Sequence, residues 1–348
     1  MSKILITGGN GFIGSHIVEY FENNGHEIIC LIRKTSDIKY IEGLKVKFIY
    51  ADISKSEDLK KLNYNNTINN VDYVIHNSSK VVDWGDYKDF YSTNVSGSLN
   101  LIKILFEKGI KNFIVTSSIS VYGEENSLTI KNEESKMNSH YKYFLDNVFP
   151  CGMNYYRDTK KLEKKKIIEL AEINKLNVTF IEPIWVYGER EFCSGFYEYL
   201  SACKMGIPFM MGSKKNKFHV IYVKDLVRAY YLTYIKRLEG VNSIIVGNNK
   251  AENMNMIYEK FCREAKIKKP INIPKVFTYP VGFFLELIYT FLKIKKPPVL
   301  TRGRVNMFYD NIEYSTKRAK QILDFQSEVS LEEGVKRTIK WYKENGFL

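Results

Sequence analysis

Tyr156 and Lys160, in the stretch Tyr156-Arg-Asp-Thr-Lys160, are the pair in this chain best suited to moving a proton. Residues four apart lie on one face of a helix. An ammonium beside a phenol favours the phenolate and draws its pKa from about 10 toward neutrality, so the phenol can exchange a proton with a substrate oxygen. In a chain with 25 tyrosines such a spacing also arises by chance, so the pair needs company. It has some. Ser118 follows the apolar run Asn112–Thr116, and a hydroxyl at the carboxyl end of such a strand can bond the same oxygen. Tyr155, the neighbouring phenol, has Thr159 four residues on and lacks the cation.

A second cluster is built for phosphate. The apolar run Ile4-Leu5-Ile6 leads into Gly8, Gly11 and Gly14, and an amphipathic pattern through Ile13, Ile17, Val18 and Phe21 follows. This reads as strand, tight turn and helix. Gly8 turns the chain, Gly11 lets backbone approach a pyrophosphate, and Gly14 lets helix pack on strand. The helix start adds unpaired N–H groups and the positive end of its dipole, so a dinucleotide is the expected ligand.

The elements that must position these groups alternate. Strands are expected at Lys3–Thr7, Glu27–Ile32, Val46–Tyr50, Tyr73–His76, Asn112–Thr116 and Asn177–Ile181, with helices between them. Asn24-Gly25 reads as the C-cap of the first helix. Gly97 to Glu107 reads as a crossover helix, and another runs from Tyr156 to about Ile173. The pattern predicts an α/β fold, a doubly wound parallel sheet over residues 1–183 with returns near 218–247. A smaller substrate lobe is expected from 184–217 and 268–310. Residues 311–348 form a C-terminal segment whose final helix opens on the capping box Ser330-Leu-Glu-Glu333 and stops at Gly346.

Taken in order, these motifs resemble the extended short-chain dehydrogenase/reductase superfamily over essentially the whole chain. The matching pieces are Thr7-Gly8-x-x-Gly11-x-x-Gly14, Asp52 after the third strand, His76-Asn77-Ser78-Ser79 after the fourth, and Asn94-x-x-Gly97. Ser118 before Val121-Tyr122-Gly123, Tyr156-x-x-x-Lys160 and Pro183-x-x-Val186-Tyr187-Gly188 complete the set. The resemblance implies a Rossmann domain, Tyr156 as acid/base, Lys160 as the ribose-binding residue that tunes it, and Ser118 orienting a substrate carbonyl. It also implies cofactor contacts from Gly8, Gly11, Phe12, Ile13, Gly14, Asp52, Ile53, Asn77, Ser78, Ser79, Asn94 and Pro183, besides Tyr156 and Lys160.

In NAD-preferring members the second strand often ends in an acid that bonds the ribose 2′-hydroxyl. Here Arg33 and Lys34 stand there, which resembles the dihydroflavonol reductase-like members and favours NADP(H), with NAD(H) still open. Sugar-nucleotide epimerases and dehydratases usually carry Asn and Arg where this chain has Trp185 and Phe218, although Lys217 is adjacent. The C-terminal part instead resembles the 3β-hydroxysteroid dehydrogenase-like branch. The expectation is an oxidoreductase interconverting a secondary alcohol and a ketone on an apolar substrate, hydroxysteroid-, flavanonol- or β-keto acyl-like. A nucleotide-sugar epimerase or dehydratase, and a non-catalytic NADP(H)-binding sensor, stay open as alternatives.

The apolar arc of Pro280–Ile294 (Phe283, Phe284, Leu287, Ile288, Phe291) is expected first to pack against the lobe, with Glu286, Thr290 and Lys293 on a polar strip. Its functional alternatives are a wall of the substrate site and a helix resting on a membrane beside Lys293, Lys295 and Lys296. The formal charge of +13 reflects a lysine-rich surface without the basic and aromatic alternation of a nucleic-acid reader. The superfamily commonly dimerises through helices of the Rossmann domain. Cys30, Cys151, Cys193, Cys203 and Cys262 are odd in number and have no metal spacing, so free thiols and no metal are expected. With the first strand starting at Lys3 there is no room for a signal peptide, and the expected location is cytoplasmic.

Overall fold

The computed structural model describes residues 1–348 except 124–128, 192–194, 207–208, 211 and 213–214, so Cys193 lies outside the described residues. Short apolar runs fold into strands, the central ones buried on both faces and Val46–Tyr50, at the sheet edge, partly exposed. They are β1 (Lys3–Thr7), β2 (Glu27–Ile32), β3 (Val46–Tyr50), β4 (Tyr73–His76), β5 (Asn112–Thr116) and β6 (Asn177–Pro183). With the edge strand Val241–Val246 they form a seven-stranded sheet in the order edge strand, β6, β5, β4, β1, β2, β3, every pair parallel. The order reverses between β1 and β4, the switch point where such sheets bind ligands at their carboxyl ends. Apolar layers fill both faces, one around Ile17, Phe21 and Tyr230, the other around Leu101, Leu105 and Ile167.

Five strands fall where the sequence places them, and β6 runs two residues further. The first helix, Phe12–Asn23, ends at Asn24 with Gly25 at a φ of 80°, as the C-cap expects. The expected crossover helix is Ser98–Glu107, and a π-helical stretch, Tyr91–Gly97, leads into it. Gly97 is required there, because a Cβ would stand 2.7 Å from the Ile53 carbonyl oxygen. The helix carrying Tyr156 and Lys160 spans Gly152–Asn174 and starts a turn earlier than expected.

Beyond β6 the chain makes a small parallel pair, Trp185–Tyr187 with Val220–Tyr222, and the helix Val223–Lys236 returns to pack Tyr231 and Tyr234 on Phe21. Helices Gly195–Lys204, Lys275–Phe291 and Arg302–Tyr309 occupy the segments expected to form a second lobe, and Met254–Ala265 is a further helix that the sequence left unassigned. The last helix, Leu331–Glu344, is capped by Ser330, whose Oγ accepts from the Glu333 N–H at 3.2 Å. Only half the capping box forms, because the Glu333 carboxylate accepts from Arg337 instead, at 2.7 Å.

The expected packing of the 280–294 arc is corrected. Helix Lys275–Phe291 buries Thr278, Gly282 and Glu286, while Phe284, Ile288 and Phe291 face outward. Glu286 turns inward because Arg302, itself fully buried, donates from Nε to its Oε2 at 2.7 Å. Of the arc, Phe283 packs, edge-on to Phe144 at 5.3 Å. Among the described residues no helix is long and apolar enough to cross a membrane.

Candidate functional site

The glycine loop sits at the carboxyl end of β1. Gly8 takes a φ of 66°, and its carbonyl accepts from the Gly11 N–H at 3.1 Å. A Cβ on Gly14 would lie 2.0 Å from that carbonyl oxygen, so only glycine lets the helix seat on the turn. A Cβ on Gly11 would meet nothing nearer than 3.4 Å, which leaves its outer side open to a ligand. The helix cap at Gly11 has no side-chain bond and the first turn has no acid, so the N–H groups at Phe12 and Ile13 suit a diphosphate. Gly9, which the sequence reading passed over, packs below the loop; a Cβ there would come 2.7 Å from Cys30 Sγ.

The other expected cofactor residues fall around this loop in two ranks. Ser78 lies against Gly8, and Asn77 reaches the Gly14 side of the turn, its Oδ1 accepting from Thr116 Oγ1 at 2.9 Å. Arg33 and Lys34 are exposed just past β2, and Pro183 ends β6. Asp52 caps its own turn, accepting from the Ser54 N–H at 3.0 Å and hydroxyl at 2.7 Å. Ile53 supplies the carbonyl on which Gly97 rests. Asn94 is fully buried behind the loop. It accepts from Ser79 Oγ at 2.9 Å and Lys80 N–H at 2.7 Å, and donates to Thr159 Oγ1 at 3.1 Å, tying the β4 loop to helix 152–174.

Tyr156 is half-buried in the second turn of helix 152–174, and Lys160 is buried one turn on. Lys160 Nζ donates to the Thr116 carbonyl at 2.9 Å, which fixes the ammonium at the end of β5. Ser118 directly follows that end as the cap of a short 3₁₀ turn, Ile119–Tyr122, its Oγ accepting from the Ser120 N–H at 3.1 Å. Tyr155 turns away. It packs edge-on against Tyr87 and Phe90, and burial pushes its phenol above the usual tyrosine value.

Behind Lys160 lies a polar chain that the sequence reading missed. Glu163 is ion-paired with Lys160, and its Oε1 accepts from Ser98 Oγ at 2.9 Å. Ser98 Oγ and His76 Nε2 lie 2.8 Å apart, and His76 Nδ1 and Thr7 Oγ1 2.9 Å apart. Thr7 Oγ1 already accepts from the Asn77 and Ser78 N–H groups at 3.1 and 3.0 Å, so its own proton goes to Nδ1. His76 therefore carries its proton on Nε2 and donates to Ser98. Every donor in the chain points toward the Glu163 carboxylate. Burial, and then the Lys160 ammonium, lower the His76 pKa to about 3, and burial pushes the Glu163 carboxyl up against the pull of Lys160. A second buried pair, Lys164 with Glu182 at 2.7 Å, holds the Tyr122 hydroxyl, which donates to Glu182 Oε2 at 2.7 Å. The signal for Glu163 was its place three residues after Lys160, but in the run Lys160-Lys-Leu-Glu-Lys-Lys-Lys166 it reads as solvated charge.

Trp185 and Phe218, the expected substrate contacts, meet with ring centroids 5.5 Å apart, Phe218 buried. Lys217 is neutralised there by Glu313, both carboxylate oxygens 3.0 Å from Nζ.

The model of the NAD dependent epimerase/dehydratase family matches residues 4–247. A Methanocaldococcus jannaschii protein provisionally named as a UDP-glucose 4-epimerase is 28% identical, over 98% of this chain and 99% of its own. A Candida albicans sterol-4-alpha-carboxylate 3-dehydrogenase (decarboxylating) is 23% identical, over 99% of both chains. A Stenotrophomonas maltophilia 2-alkyl-3-oxoalkanoate reductase is 23% identical, over 96% of this chain and 98% of its own. Among solved structures, MoeE5 in complex with UDP-glucose and NAD superposes with a TM-score of 0.75 at 20% identity, over 99% of each chain.

Proposed function

The chain belongs to the NAD-dependent epimerase/dehydratase family, and from that premise we propose that it interconverts a secondary alcohol and a ketone on an apolar substrate. The observation that carries the reading is the pairing of Trp185 with Phe218 beside a Lys217 already held by Glu313. A diphosphate entering there would give up hydration to two aromatic rings, beside a lysine whose ammonium already has a carboxylate partner. An apolar ring or acyl chain gains roughly 25 cal/mol per Å² buried.

A nicotinamide cofactor, which the glycine loop and Lys160 would hold, would supply or accept the hydride. Tyr156 moves the proton at the substrate oxygen, and Ser118 donates a hydrogen bond to that oxygen and orients it. Of the three Lys160 protons, one is committed to Thr116 and one to Glu163, which leaves one for the ribose while the charge acts on the phenol. The sterol dehydrogenase and oxoalkanoate reductase relatives support an alcohol/ketone couple on an apolar skeleton. The Methanocaldococcus relative supports the second reading, a nucleotide-sugar epimerase.

The proposed cofactor is NADP(H), with Arg33 and Lys34 exposed past β2 to meet a 2′-phosphate. Arg33→Ala then weakens NADPH selectively in paired titrations, whereas equal losses for NADH and NADPH make Arg33 an adenine contact only. Calorimetry on the NADP-loaded protein tests the substrate class. Steroid-like or acyl ligands bind and millimolar UDP-glucose does not; micromolar UDP-glucose binding promotes the epimerase reading.

A further inference from the structure

The helix Lys275–Phe291 is built inside out. Its inward stripe, Thr278, Gly282 and Glu286 at a spacing of four, is small or polar. Its outward stripe runs Phe277, Val281, Phe284, Ile288 and Phe291 at spacings of four and three, continuous with Leu292. Phe291 is 88% exposed, Phe277 65% and Phe284 60%. A helix in a globular protein ordinarily buries such a stripe, and single exposed apolar residues need no explanation, but a contiguous row does.

The inward face locks the helix in this rotation. A Cβ at Gly282 would lie 3.0 Å from the Thr301 backbone, so any larger residue would press the helix off that segment. Glu286 is held by the Arg302 guanidinium, which also donates to the Phe149 carbonyl at 2.9 Å. Tyr279 Oη accepts from the Phe144 N–H at 3.1 Å. A rotation of the helix that hid the phenylalanines would expose a buried ion pair.

We propose that this face docks on an anionic lipid bilayer. Charge selects that occupant. Lys293, Lys295 and Lys296 stand exposed at the end of the apolar stripe. Between residues 275 and 301 the only acid is Glu286, buried and paired with Arg302, so the segment itself presents no exposed carboxylate to a negative surface. A second copy of the same face would set these lysines beside their like, whereas acidic headgroups attract each by about fivefold in partition. The helix has 17 residues, short of the roughly 20 needed to span, and a single apolar arc suits one lying in the interface. Its inward side is fastened to residues 144–151, and Cys151 caps the helix that carries Tyr156. The docked face therefore adjoins the segment leading into the catalytic helix, and this inference stands whichever substrate the site takes.

Co-sedimentation of the full chain with phosphatidylcholine vesicles, with and without phosphatidylglycerol, tests it. The protein pellets with the anionic vesicles, less so as salt rises. Phe284→Glu with Phe291→Glu lowers partition at least about tenfold, since two buried aromatics are replaced by two repelled charges. Lys293→Glu with Lys295→Glu and Lys296→Glu does the same. All five positions are exposed, so thermal melts remain those of the wild type. Failure to bind anionic vesicles, or binding that survives the Phe substitutions, overturns the proposal. A wild-type dimer dissolved by the Phe substitutions, with no vesicle binding, assigns the face to a second copy and overturns it equally.

Discussion

Helices 152–174 and 275–291 both break the rule that polar residues face water and apolar ones face the core, and they break it in opposite senses. The first buries Arg157, Lys160, Glu163 and Lys164. The second exposes Phe284, Ile288 and Phe291. Buried charge is costly unless paired, and on the first helix Lys160 pairs with Glu163 and Lys164 with Glu182, which aims one ammonium at the end of β5. On the second helix a single inward pair, Glu286 with Arg302, fixes the rotation and leaves the apolar side outward. Inversion of a helix thus marks two things here: a site facing in, and a surface facing out.

The sharpest cut separates chemistry from scaffold on the first helix. Tyr156→Phe removes the proton donor and leaves the glycine loop untouched, so kcat falls by about 10² to 10⁴ while cofactor affinity holds. Stopped-flow turnover with a cofactor titration reads both; near-normal turnover removes Tyr156 from the acid/base role. On the second helix Glu286→Leu leaves the Arg302 guanidinium buried without its partner and costs about 3–5 kcal/mol. Chemical denaturation measures it, and a loss below about 1 kcal/mol means the pair does not set the helix rotation.

Acid tests the polar chain behind Lys160. Burial keeps His76 neutral in the fold, its pKa lowered to about 3, while the unfolded residue titrates near 6.5. Between those values the unfolded chain binds the extra proton, so the stability this histidine contributes is whole above pH 6.5 and drains away as pH falls toward 3. Glu163→Gln probes the same chain more gently. It keeps one acceptor oxygen, turns the other into an NH2 donor, and removes the negative charge beside the ammonium, so Lys160 acts on Tyr156 unopposed. The pH–rate profile then moves to lower pH by up to about one unit. An unmoved profile in a folded variant reduces Glu163 to packing.

The first half of the molecule is legible because its signals are local. Gly8, Gly11 and Gly14 follow a strand, the strand runs are unbroken, and Tyr156 and Lys160 share one helix face by spacing alone. Glu163, Ser98 and His76 come together only through the crossings of β4, the crossover helix and helix 152–174, and no local pattern records such a meeting. Helix 275–291 was misread for the same reason. Its amphipathic period is plain, but which face goes inward is decided by Arg302, sixteen residues from Glu286 in sequence and touching it in space. Half the Ser330 capping box failed likewise, when Glu333 found Arg337 one turn on.

The central claim is that Ser118, Tyr156 and Lys160 carry out net oxidoreduction on an apolar substrate, and absorbance at the nicotinamide band tests it most directly. With NADPH and a hydrophobic ketone the account predicts a steady loss of absorbance matching the alcohol formed, abolished in Tyr156→Phe, and no change with UDP-glucose. Epimerised UDP-sugar formed with no net change in the cofactor, alongside inert ketones, would contradict it.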